Sequence, residues 1–122
     1  MQNNFISEKF PNGLTIMLKE MHTVPIISQW VWYQVGSRDE PPGQTGLSHW
    51  VEHMQFKGTQ KFPVTELDHA ISREGGIWNA MTYLDWTTYY ETMPAYRINI
   101  ALELEADRMK NSLFDEKETE SE

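Results

Sequence analysis

At 122 residues, with 39% hydrophobic and 12% aromatic residues, the chain has the size and composition of one folded domain and not of a disordered tail. It contains no cysteine, which excludes a disulfide framework and leaves histidines and carboxylates to hold any metal. A net charge of −8 speaks against a nucleic-acid partner, and no apolar run reaches the roughly 20 residues of a membrane span.

The opening MQNNFISEKF has neither the basic start and apolar stretch of a secretory signal nor an Arg-rich transit pattern. With the lack of cysteine, this points to the cytoplasm. FISEKFPNGLTIMLKEM predicts two strands around Pro11-Asn12-Gly13, with Phe5 and Phe10 before the turn and Leu14, Ile16 and Leu18 alternating after it. PIISQWVWYQVGS, residues 25–37, is β-branched and aromatic on both faces, the pattern of a strand in the middle of a sheet. RDEPPGQTG is turn chemistry, and Thr45 is the expected N-cap of a helix through Leu47, Val51 and Met54.

VTELDHAISREGG predicts a second helix, capped by Thr65, carrying Leu67, Ala70 and Ile71, and stopped by Gly75-Gly76. Residues 77–94 have strand composition, with a turn at Leu84-Asp85. From 95 to 114, Ile98, Leu102, Met109 and Leu113 share one helical stripe opposite Glu103, Asp107 and Lys110. Asp115 and Glu118 form a capping box that starts a further helix, although DEKETESE, with five acids and one lysine, is also the composition of a solvated acidic tail. The order is α+β: a mainly antiparallel sheet flanked by helices. Trp30, Trp32, Trp50, Trp78 and Trp86 are expected in the core, with Trp78 the exception.

One stretch carries chemistry. In GLSHWVEHMQFKGT, His49 and His53 are four apart, and Glu52 precedes the second. On a helix that spacing puts both imidazoles on one face, able to grip one cation, with a carboxylate near enough to take a proton from water held there. This is an H-x-x-E-H order. An accidental match is expected in roughly 1% of chains of this composition, so on these three residues alone an ordinary pair of helix-face histidines stays open. His22 and His69 have no partner at ligand spacing and read as structural or surface residues.

The surroundings carry a resemblance. G-L-S-H-W-V-E-H-M-x-F-K-G-T followed by F-P, then GGxxNAxTYxDxTxYYETxP at 75–94 and ALELEADRM at 101–109, resemble the pitrilysin/insulinase family of zinc metallopeptidases. That family includes mitochondrial processing peptidase. NGL at 12–14 and VGSRDEPPGQTGLSH are similar too, so the likeness covers nearly the whole chain; Gln55 departs from it, standing where the family has an apolar residue. The resemblance implies His49 and His53 as Zn2+ ligands, Glu52 as general base, and Asn79 and Ala80 on an edge strand that pairs with an extended peptide substrate.

It also implies a third ligand, a glutamate at about position 129, beyond residue 122. Glu122 would then lie on the same helical face, orienting the site from behind. The expectation is that residues 1–122 are the N-terminal part of a peptidase catalytic domain, a half-domain cut short at its C-terminus. The isolated piece would be inactive, and the remainder of the peptidase or a partner half would complete it. The rival readings are a non-catalytic homologue that keeps the fold as an assembly subunit, like the core subunits of the respiratory cytochrome bc complex, and a bare metal-binding module.

Overall fold

A computed structural model describes residues 5–122. Residues 1–4, part of the start read as lacking a leader, lie outside the described residues. β1 (Phe5–Lys9) and β2 (Thr15–Lys19) form the expected hairpin, registered from Phe5 opposite Lys19 to Lys9 opposite Thr15. Gly13 takes φ 91° in the turn, and the Asn12 side chain accepts the Leu14 N–H at 3.1 Å. The alternating apolar residues here build no core among the described residues: Phe5, Leu14, Ile16 and Leu18 are all exposed.

The second sheet joins β3 (Ile26–Tyr33), β4 (Ile77–Thr82) and β5 (Thr87–Pro94), all antiparallel, in the order β3-β5-β4. β5 is therefore the central strand, a correction to the expectation that β3 is. Among the described residues the more apolar β3 lies at an edge with only alternate residues half-buried, whereas β5 is the most buried strand. Pairing order and not hydropathy decided which strand was enclosed. The turn at Leu84-Asp85 is where the sequence placed it, closed by the Tyr83 N–H donating to Trp86 O at 2.8 Å.

The tryptophans also depart from expectation. Trp30 and Trp32 lie on one face of the sheet, 43% and 54% exposed, with Trp30 stacked on Tyr90 at 4.3 Å. Trp50 and Trp86 are half-buried. Trp78, the expected exception, packs against the core, and its indole N–H donates to Asp68 at 3.0 Å. Strand alternation explains the reversal: Trp78 shares the helix-facing side of β4 with Ala80 and Thr82, while Trp30 and Trp32 point the other way.

Four helices follow: α1 (Leu47–Met54), α2 (Val64–Ser72), α3 (Ile98–Asn111) and α4 (Glu116–Ser121). None of the described helices is long and apolar enough to cross a membrane. The core is Leu67 and Ile71 of α2, Met93 of β5, and Ala101 and Leu104 of α3. Burying each of the larger ones contributes about 1.5–3 kcal/mol.

α3 turns a different face inward from the one its hydropathy suggested. Ala101, Leu104, Glu105 and Arg108 are buried, while Leu102 and Met109 are about half exposed and Leu113 falls beyond the helix. The observed face is about a quarter-turn from the predicted stripe at 100° per residue. On that inward face Arg108 bonds Glu105 and stands 3.6 Å from Glu91 of β5.

The caps differ as well. α1 begins after Gly46, not Thr45, with Gly46 at φ 97°, a left-handed conformation that disfavours any side chain. Its first amides are answered from a distance: Glu40 accepts the Gly46 and Ser48 N–H groups, both at 2.8 Å. Those two bonds, Ser48 first, hold the Glu40 carboxyl below its ordinary range. α2 starts at Val64 behind Pro63, ahead of the expected Thr65 cap, and ends at Ser72; Gly75-Gly76, the expected stop, closes the turn beyond it, with Gly75 at φ 74° and the Gly76 N–H donating to Ile71 O at 3.1 Å. Asp115 does cap α4, accepting the Lys117 N–H at 3.0 Å, but Glu118 turns away from the capping box toward Lys57.

Candidate metal centre

α1 is short and two-faced. Met54 is fully buried and Glu52 only 7% exposed, whereas His49 and His53 are exposed. The two rings meet edge to face with centroids 4.4 Å apart, and their Nε2 atoms converge to 3.1 Å. Two nitrogens each about 2.0–2.1 Å from one tetrahedral zinc would stand about 3.3 Å apart. The pair therefore fits a zinc ion with a few tenths of an ångström of movement. Among the described residues no third histidine or carboxylate joins them to make a group able to hold a metal.

The other nitrogen of His53 is engaged from behind. Nδ1 lies 2.7 Å from Glu122 Oε2, and Glu122 Oε1 is 2.6 Å from the Lys57 ammonium. Lys57 also reaches Glu118 at 3.0 Å. Lys57, and then His53, hold the Glu122 carboxyl below its ordinary range; the same two carboxylates, Glu122 first, raise the Lys57 ammonium. A carboxylate on Nδ1 fixes which nitrogen carries the proton and leaves Nε2 facing the ligand position.

Glu52 is held from the sheet. The Thr82 hydroxyl donates to Glu52 Oε2, and Thr87, donating to Val35 O at 2.9 Å, stands behind Thr82. Thr82 ends β4, so the strand bearing Asn79 and Ala80 runs directly to the carboxylate. No strand pairs with the outer edge of β4 among the described residues. At that edge Ala80 N–H donates to its neighbour Asn79 Oδ1 at 2.8 Å. His69 sits exposed on α2, and His22 stands 3.5 Å from Glu20; neither joins the pair.

The structure thus groups His49, Glu52, His53 and Glu122 on and around α1, with Asn79 and Ala80 on the adjoining strand. Thr82 and Lys57 escaped the sequence reading. Lys57 was findable, since it stands four residues after His53. Thr82 was findable by alternation from Trp78 and Ala80.

A family model described as Insulinase (Peptidase family M16) matches residues 15–122. An uncharacterized zinc protease, YmxG, of Bacillus subtilis (strain 168) is 40% identical over 91% of this chain and 27% of its own length. The probable mitochondrial-processing peptidase subunit beta of Arabidopsis thaliana is 38% identical over 87% of this chain and 20% of its own. The crystal structure of a protease from Helicobacter pylori superposes with a TM-score of 0.90 at 33% identity, covering 95% of this chain and 28% of that one. The chain spans about a quarter of the length of these relatives.

Proposed function

The chain belongs to the Insulinase family of peptidases, family M16, and we propose that residues 1–122 are the N-terminal part of the catalytic domain of a zinc-dependent endopeptidase. The observation that carries this reading is the convergence of the His49 and His53 Nε2 atoms to 3.1 Å, beside a buried glutamate held by a threonine.

His49 and His53 would hold the zinc through Nε2, with Glu122 fixing the His53 ring from behind. What zinc supplies when bound is Lewis acidity: a polarised scissile carbonyl and a more acidic water. Glu52 is the general base. Thr82 occupies Oε2 and fixes the carboxylate plane, so Oε1 takes the proton and passes it to the departing amine. The outer edge of β4 at Asn79 and Ala80 pairs with the backbone of an extended peptide, which suits an enzyme that reads main chain more than one side chain. For this pairing the Asn79 side chain must release the Ala80 N–H it now accepts. The third ligand and the half that closes over the substrate come from the rest of the peptidase or from a partner subunit.

The test is peptide cleavage by the full-length protein and its Glu52→Gln variant. Glu52→Gln keeps its zinc and loses hydrolysis by about 10²–10⁴-fold, the usual worth of a general base. Cleavage by Glu52→Gln at the wild-type rate would remove Glu52 from that role. A zinc-loaded wild type that cleaves no peptide would instead mark an assembly subunit.

A further inference from the structure

Lys57 follows α1 in the turn where its own N–H donates to Met54 O at 3.1 Å. Its side chain is only 21% exposed, because the ammonium is drawn between Glu118 at 3.0 Å and Glu122 at 2.6 Å. Each Glu122 oxygen then has one partner: Lys57 on Oε1 and His53 Nδ1 on Oε2. The result is a continuous line, Lys57–Glu122–His53–His49, that ends where the two Nε2 atoms meet.

Among the described residues of α4 no side chain is buried, so packing does not fix Glu122 there. A glutamate there has several rotamers to choose from, and an imidazole alone selects weakly among them. An ammonium on the second oxygen fixes the carboxylate, and a fixed carboxylate, which only accepts, keeps the proton on His53 Nδ1.

We propose that Lys57 is a positioning residue of this site: by fixing Glu122 it keeps His53 in the Nδ1–H form and so sets zinc affinity without touching the ion. This rests on the reading of His49 and His53 as zinc ligands. The plainer role, a tether of α4 to α1, is separable because it moves stability but not the tautomer.

The experiment uses the full-length protein labelled with ¹⁵N in its imidazoles, metal-free at pH 8, beside a competition titration with zinc alone. The His53 signal is identified by its loss in His53→Gln. Wild type shows His53 as the Nδ1–H tautomer. Lys57→Met shows a mixture and binds zinc at least about 10-fold more weakly, within the 10–100-fold range for removed support of a ligand. Lys57→Arg restores most of both, and in a Glu122→Gln background Lys57→Met changes affinity by less than about twofold, because the path through Glu122 is already cut. Should methionine disturb the fold, Lys57→Gln repeats the comparison with the charge alone removed. A melting temperature that falls while tautomer and zinc affinity hold would overturn the proposal, as would full additivity with Glu122→Gln. If wild type binds no zinc, the metal reading fails, yet the metal-free spectra still decide the role of Lys57.

Discussion

At the contact of α1 with α4, Lys57 answers one oxygen each of Glu118 and Glu122, and His53 answers the other oxygen of Glu122. Inside the fold, Glu91 of β5 and Glu105 and Arg108 of α3 are 1–2% exposed, two acids to one base. Arg108 bonds Glu105, stands 3.6 Å from Glu91, and lies over the Tyr89 ring at 4.2 Å. Both oxygens of Glu91, Oε2 of Glu105 and one Arg108 nitrogen have no hydrogen-bond partner among the protein atoms described. Phe56 links the regions, with its ring 5.6 Å from Arg108 and Lys57 next in the chain.

The surface cluster can exchange partners with water at little cost, so it suits the tuning of a ligand. The interior cluster cannot. Burial first, then Glu105, push the Glu91 carboxyl up to about 9 against the pull of Arg108, so it keeps its proton at neutral pH. Burial raises Tyr89 and Tyr33 alongside it. This cluster lies where α3 meets β5, beside the apolar core.

The two clusters should therefore break in different ways. The largest effect belongs to Arg108→Met, which strands two buried carboxyl groups: unfolding in urea should show a loss of about 3–5 kcal/mol. A loss below about 1 kcal/mol would mean that the cluster is wetter than its burial indicates. Glu122→Gln comes next and should act on affinity alone, weakening zinc about 10–100-fold in a titration while the urea midpoint barely moves.

Glu91→Gln is the smallest and sharpens the contrast through pH. The native carboxyl holds a proton that the unfolded chain gives up near 4.5, so wild-type stability declines as pH rises from there toward about 9. Glu91→Gln, with nothing to titrate, should flatten that part of the decline. Urea midpoints at pH 5, 7 and 9 read it, and equal slopes in the two proteins would refute the assignment.

How much of this the sequence disclosed follows from where the charge sits. His49, Glu52 and His53 were legible as one helical group because spacing alone puts them there, and Asp115 was legible as a cap. Glu122 was reached through the family resemblance, and its carboxylate does lie on His53. The inward face of α3 was not legible, since the apolar stripe of Ile98, Leu102, Met109 and Leu113 pointed elsewhere and nothing local shows that Glu91 stands beside Glu105 and Arg108. Nor was the cap of α1, where Glu40 reaches in from six residues before Gly46 and displaces Thr45 from that role. Pairwise meetings across the fold defeat a reading by local pattern. That is why β5 and not β3 came to be the central strand.

On the proposed reading His49 and His53 hold zinc and Glu52 does not. Zinc titration of the full-length wild type, His49→Ala, His53→Ala and Glu52→Gln tests it in one series. One tightly held zinc per chain in wild type and in Glu52→Gln, and none held tightly in either histidine variant, is the expected result. Unchanged zinc in His49→Ala or His53→Ala, or its equal loss in Glu52→Gln, would contradict the account.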